Sequence, residues 1–145
     1  IIYIVAPARH TTGMHAITSQ TIWRTQESGV RESIGISSDG KYIYGKTMND
    51  TITAFATGRE AQKAAWKLHA GFGYEHAPSM LIEKDGNIFF GTRNGVVYAI
   101  EAHQQKVAWA HKIDNSMVNT VNVLDKKNLL VSTMDGQVVL LHIID

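Results

Sequence analysis

Cysteine is absent from the 145-residue chain. That removes disulfide frameworks and thiolate metal ligands, and it leaves oxidising and reducing compartments equally open. No apolar run approaches the roughly 20 residues of a membrane-crossing helix. Charge of one sign is lacking too: 14 Lys and Arg stand against 13 Asp and Glu, a formal net charge of +1. No block of like charge breaks this balance, so neither a nucleic-acid footprint nor a polybasic membrane patch is indicated. No secretory leader is visible, and the chain opens at Ile1 rather than Met, in what reads as mid-strand.

Catalytic and helical signatures are equally sparse. No Gly-x-Ser-x-Gly elbow is present. Gly71-Phe72-Gly73 lacks the third glycine and the following helix of a phosphate-binding loop, so it reads as a loop. The seven histidines, at 10, 15, 69, 76, 103, 111 and 142, form neither a His-x-x-x-His nor a His-x-His pair. Arg59 to Ala70 is Ala- and Lys-rich and would pass for a helix by propensity. The repeat described next overrides that reading, leaving at most one helical turn around residues 58–62.

What the chain does have is a period. Trp23, Trp66 and Trp109 are each 43 residues apart, a spacing that signals a solenoid, a propeller or an array. The clearest unit runs from residue 79 to 112, with four apolar runs at 79–83, 87–92, 96–101 and 106–112. Lys-Asp-Gly and Arg-Asn-Gly separate the first three, and Asn-Gly between β-rich runs is a strong hairpin signal because both turn residues tolerate φ > 0. The preceding unit has runs at 33–37, 41–47, 51–56 and 63–68. The following one has runs at 119–124, 128–133 and 137–143 and no fourth. The first has 1–6, 14–18 and 21–25 and no inner strand. Units of this length with four antiparallel strands are propeller blades. A β-sandwich is the competing architecture, but it has no reason to place Trp on a fixed period. The predicted fold is therefore all-β, a partial propeller forming a single domain over 1–145. Its whole blades are 33–68 and 79–112, and its blade fragments are 1–25 and 119–143. A closed propeller needs roughly 4–8 blades, so the chain reads as a fragment of a longer one.

At Gly86, Phe89, Gly91, Thr92, Asn94, Gly95, Tyr98, Ala99, Ile100, Lys106 and Trp109 the chain resembles the repeat of the pyrroloquinoline-quinone-like (PQQ-like) β-propellers. Tyr44, Gly45, Thr47, Ala54, Phe55 and Trp66 match it in one flanking unit, and Val131, Thr133, Asp135 and Gly136 in the other. The usual Thr-Gly-Lys of the outer hairpin is replaced by His103-Gln104-Gln105-Lys106. The resemblance implies a fold shared by quinoprotein dehydrogenases, outer-membrane assembly lipoproteins and accessory domains, and a periplasmic or extracellular setting. Quinoproteins of this kind stack the quinone between a Trp and a vicinal disulfide and hold Ca²⁺ with Glu, Asn and Asp. The missing cysteines, and the lack of an Asp near the layer described next, stand against that activity here.

Equivalent positions at the start of successive inner strands converge on one mouth of a propeller. Glu32, His76 and Asn119 are so related, at spacings of 44 and 43 residues. With Arg31 and Glu75 they form a candidate ligand site, against the plainer reading of a hydrated channel rim; the loops at 58–62 and 71–76 are the fallback. Trp23, Trp66 and Trp109 are candidate blade-docking residues, with ligand stacking as the other use. No catalytic residue, cofactor or metal is expected. The expected function is a non-catalytic binding or scaffold module of a larger bacterial protein. Its partner would be a protein, an unidentified small ligand, missing segments of its own full-length chain, or a second copy through self-association. A quinoprotein dehydrogenase fragment, or an accessory domain after a metallophosphoesterase-like hydrolase, is the alternative.

Overall fold

The computed structural model describes residues 1–6, 10–25, 29–58, 63–75 and 79–144, and only the backbone of 31–33. The described residues contain strands and turns and no helix. The turn expected around 58–62 falls almost wholly on 59–62, outside the described residues.

The strands form four antiparallel sheets in chain order. The first joins β1 (Ile2–Val5), β2 (Thr11–Met14) and β3 (Thr21–Arg24). The second joins β4 (Val30–Ile36), β5 (Tyr42–Thr47), β6 (Asn49–Ala56) and β7 (Ala64–Tyr74). The third joins β8 (Ile82–Lys84), β9 (Asn87–Gly91), β10 (Val96–Glu101) and β11 (Lys106–Lys112). The fourth joins β12 (Val118–Val123), β13 (Asn128–Thr133) and β14 (Val138–His142). Every pairing is between neighbours in sequence, and β1, β4, β8 and β12, the first strand of each sheet in chain order, touch in succession. The sheets therefore stack face to face around a common inner side, and alternate residues of each strand face the neighbouring sheet.

Three seams carry three apolar clusters. Trp23 and Ile43 close the first, with Tyr3 and Ile34 against them. Ile52, Phe72, Leu81, Ile88, Phe90 and Ile100 are the heart of the second. Phe89, Val97, Val118, Val121, Leu129 and Val131 form the third.

One cross-strand motif recurs inside the sheets. Tyr3, Gly13 and Trp23 lie side by side on β1, β2 and β3. Tyr44, Ala54 and Trp66 do so on β5, β6 and β7, and Phe89, Ala99 and Trp109 on β9, β10 and β11. The small middle residue lets the indole lie across the sheet onto the aromatic ring two strands away, with centroid separations of 5.9, 5.8 and 6.0 Å. A Cβ at Gly13 would come within 2.7 Å of the Trp23 ring.

Four strands depart from the expected pattern, and the simplest case is β4, which starts at Val30 rather than 33. β2 occupies Thr11–Met14 rather than 14–18, because Gly13 must sit under Trp23. The chain then turns at His15, whose Nδ1 accepts from the backbone N–H groups of Ile17 and Thr18. β7 runs on to Tyr74 instead of ending near 68, so Gly71-Phe72-Gly73 is a bulge within a strand. Its ladder partners jump from His69 to Tyr74, and Gly71 and Gly73 take φ of 80° and 75°, values that suit glycine. The excursion drives Phe72 into the second seam, edge-on to Phe90 at 5.4 Å. β8 is short, starting at Ile82 rather than 79, because the Ser79 hydroxyl takes the Gly91 N–H at 2.9 Å where a ladder carbonyl would otherwise serve.

Candidate functional site

The five residues expected at the mouth have different fates. Arg31 and Glu32 lie on β4, where only the backbone is described, and His76 lies outside the described residues. Asn119 is on β12 with an exposed side chain, at a register shift between Val118 and Thr120. Glu75 is not on an open rim: it is 1% exposed. Its carboxylate accepts the Arg93 N–H at 2.8 Å, and its own N–H donates to the Met48 carbonyl at 2.9 Å. It thereby ties the β5–β6 turn of the second sheet to the β9–β10 turn of the third.

Beside it lies a cation that the repeat reading passed over. Lys46 on β5 is 2% exposed. Its Nζ crosses the seam to donate to the Gly91 carbonyl at 3.2 Å and sits 5.6 Å from the centroid of the Phe90 ring. Burial pushes its pKa down to about 8, partly countered by the charge of Glu75. The hydroxyls of Thr47 and Thr92 accept from equivalent turn N–H groups, which sets Lys46 level with Gly91. A cation in a seam position that holds glycine one unit later was the available signal.

At the opposite end of the strands the second seam opens into a groove of about 520 Å³. Tyr42 and Tyr44 on β5 and Trp66 on β7 form one wall. The tyrosine rings stack at 6.4 Å and 18°, and Tyr44 meets Trp66 at 5.8 Å. The β8–β9 and β10–β11 turns supply the other wall, with Asp85, Gly86, His103 and Gln105. Glu83 spans the two sheets: Oε2 accepts from the Ser38 N–H and, at 2.7 Å, from the Ser38 hydroxyl, while Oε1 accepts the Gly86 N–H at 2.6 Å. Asp39 accepts from the Ser37 hydroxyl at 2.7 Å and the Lys41 N–H at 3.0 Å. The Ser37 bond first, and then that of Lys41, hold its carboxyl below the ordinary value. The Tyr44 phenol is pushed up to about 12 by burial first, then by the charges of Glu83 and Asp39. Of these groove residues only Trp66 stood among the candidates, as a docking residue with ligand stacking as its other use; the rest come from strands and turns of two different units that the sequence does not bring together.

The third seam carries a smaller counterpart, about 260 Å³, with Phe89 and Trp109 on its wall and Lys84, Asp85, Asp125 and Lys126 around it. Among the described residues no group of three His, Cys, Asp or Glu is placed to hold a metal ion. No helix there is long and apolar enough to cross a membrane.

The sheets are blades of a β-propeller. BamB from Moraxella catarrhalis superposes with a TM-score of 0.75 at 17% identity, over 97% of this chain and 40% of its own. The WD40 repeats of RRP9 give 0.79 at 12% identity, over 95% and 43%. The computationally designed protein Ika4 gives 0.78 at 13% identity, over 96% and 82%. At such identities the likeness is one of fold. No family model matches the chain, and no curated protein does. The chain spans less than half the length of BamB and of the RRP9 repeats.

Proposed function

We propose that the chain is a non-catalytic binding module built from propeller blades of the PQQ-like kind, working outside the cytoplasm as part of a larger protein. One observation carries this reading. Glu75 and Lys46, each nearly inaccessible to solvent, are hydrogen-bonded to backbone groups across the second seam, so these ionisable groups hold blades together. The open, chemically mixed surface is the groove at the other end of that seam, and a concave site of that kind serves recognition. Trp23, Trp66 and Trp109 act as docking residues: each covers its own sheet and packs in or against the cluster of the following seam.

The competing quinoprotein reading is tested by incubating the purified chain with pyrroloquinoline quinone and Ca²⁺, removing free quinone by gel filtration, and recording the absorption spectrum. The protein peak is expected to carry no quinone absorption. Stoichiometric chromophore in that peak would overturn the binding-module reading.

A further inference from the structure

We propose that the groove between the second and third sheets receives an arginine side chain from an extended basic segment of a partner protein. This rests on the binding-module reading above and supplies the chemistry of what is bound. The groove has the size of a ligand pocket, inside the range of about 300–1,000 Å³. One wall is three aromatic rings, with Tyr44 in contact with both Tyr42 and Trp66. Aromatic faces attract cations, and guanidinium more often than ammonium, because the ring quadrupole is negative on its face and the planar group stacks on it.

The remaining lining is acidic. Asp39, Glu83 and Asp85 all contribute, and no Lys or Arg does. The nearby cation is Lys41, whose ammonium lies 3.5 Å from Asp39 with both side chains largely exposed, where such a pair is weak and readily exchanged. His103 also lines the groove, on the β10–β11 side. The negative field is felt inside the pocket, since Glu83 and Asp39 both add to the raised pKa of Tyr44. Glu83 and Asp39 are also held in place by hydrogen bonds from Ser38, Gly86, Ser37 and Lys41. The acids are thus oriented before a ligand arrives, which lowers the cost of binding.

The repeat supplies an internal control. The third seam has the same kind of wall, Phe89 with Trp109, but half the volume, and there Lys84 and Lys126 offset Asp125 and the shared Asp85, so its lining is balanced in charge rather than acidic. Cation binding is therefore assigned to one seam out of two that share an architecture, and charge is the difference between them.

The test uses two labelled peptides, one a Gly-Arg-Gly repeat and the other its citrulline counterpart, which keeps shape and removes charge. Binding is followed by fluorescence polarisation and by the indole N–H resonances of the three tryptophans. The arginine peptide is expected to bind, to move the Trp66 resonance most, to weaken with added salt, and to bind about tenfold tighter than the citrulline peptide. Asp39→Asn/Asp85→Asn is expected to remove that preference. Both positions are exposed, and Asn suits the positive φ of residue 85, so the variant folds. Equal binding of the two peptides, no binding of either, a shift centred on Trp109, or an unchanged preference in the variant each overturns the proposal. Failure here leaves the binding-module reading standing, which falls only to quinone uptake.

Discussion

Lys46 is a cation held where the packing would favour an uncharged group. Its pKa falls from 10.5 to about 8 because burial penalises the ammonium, more than Glu75 restores. At 2% exposure solvent screening is small, and a change of that size corresponds to about 3 kcal/mol. The sign follows from proton counting. Between about 8 and 10.5 the unfolded chain keeps the lysine proton and the folded chain releases it, so stability rises with pH in that window. Tyr44 acts in the opposite sense but higher. Its folded pKa of about 12 exceeds the ordinary 10.0, so its contribution is lost as pH climbs from 10 toward 12. Urea unfolding of the wild type is therefore expected to show a gain of about 2 kcal/mol between pH of about 7.5 and about 9.5. Lys46→Met should lack that gain. A wild-type profile no steeper than that of the variant would show that the ammonium is not desolvated as described.

At the scale of elements, two glycines make contacts that no side chain allows, and they differ in a way that can be measured. A Cβ at Gly91 on β9 would lie 2.1 Å from Cγ1 of Val118 in the next sheet. A Cβ at Gly35 on β4 would lie 2.5 Å from the carbonyl oxygen of Leu81. The first obstacle is a side chain and can be trimmed; the second is backbone. Gly91→Ala and Gly35→Ala should each cost about 1–3 kcal/mol from overpacking. Adding Val118→Gly, which removes both Cγ1 and the Cβ that lies 2.2 Å away, should relieve Gly91→Ala, with a coupling of about 1 kcal/mol or more, whereas Leu81→Ala should add to Gly35→Ala without coupling. Chemical denaturation of the two double-mutant cycles decides. Equal coupling in both would mean that the sheets adjust their spacing freely.

The same elements show what a repeat can and cannot reveal. The period of 43 between tryptophans led directly to the sheet order, because residues equivalent in the repeat are equivalent in the ladders: Ala54 opposite Trp66, Ala99 opposite Trp109. It failed where one unit differs from the others. The four residues between His69 and Tyr74 leave the ladder to bury Phe72, a tertiary gain invisible to strand pattern. Glu75 looked like a rim residue by alignment, yet the Arg93 N–H across the seam consumes its carboxylate. The groove was hidden for a related reason: Ser38 meets Glu83 45 residues away, and only stacking of two units brings the turns together.

At the scale of the whole molecule, the two end sheets differ from the two between them. Each seam hides one face of each participating sheet, so the far faces of the first and fourth sheets stay open. On β14, Val138 and Leu140 are 67% and 61% exposed; on β1, Ile2 and Ile4 are 50% and 48% exposed. Leu130 stands beside Leu140 on the neighbouring strand, and Met14 beside Ile2. Among the described residues the fourth sheet also ends at β14, whose outer side has no ladder partner there and so invites pairing. Bringing the fourth sheet of one copy onto the first sheet of another would create a fourth seam, made largely of aliphatic side chains. Because the two faces belong to different ends, this contact is heterologous, and it either closes a ring or continues. Sedimentation of this chain should therefore give an average mass that rises with concentration. Val138→Lys/Leu140→Lys on one end, or Ile2→Lys/Ile4→Lys on the other, should each return it to monomer, and mixing the two variants should restore a dimer through the pair of faces left intact. A symmetric interface would respond to one variant alone, and a wild-type chain that stays monomeric at every concentration would show that neither face associates.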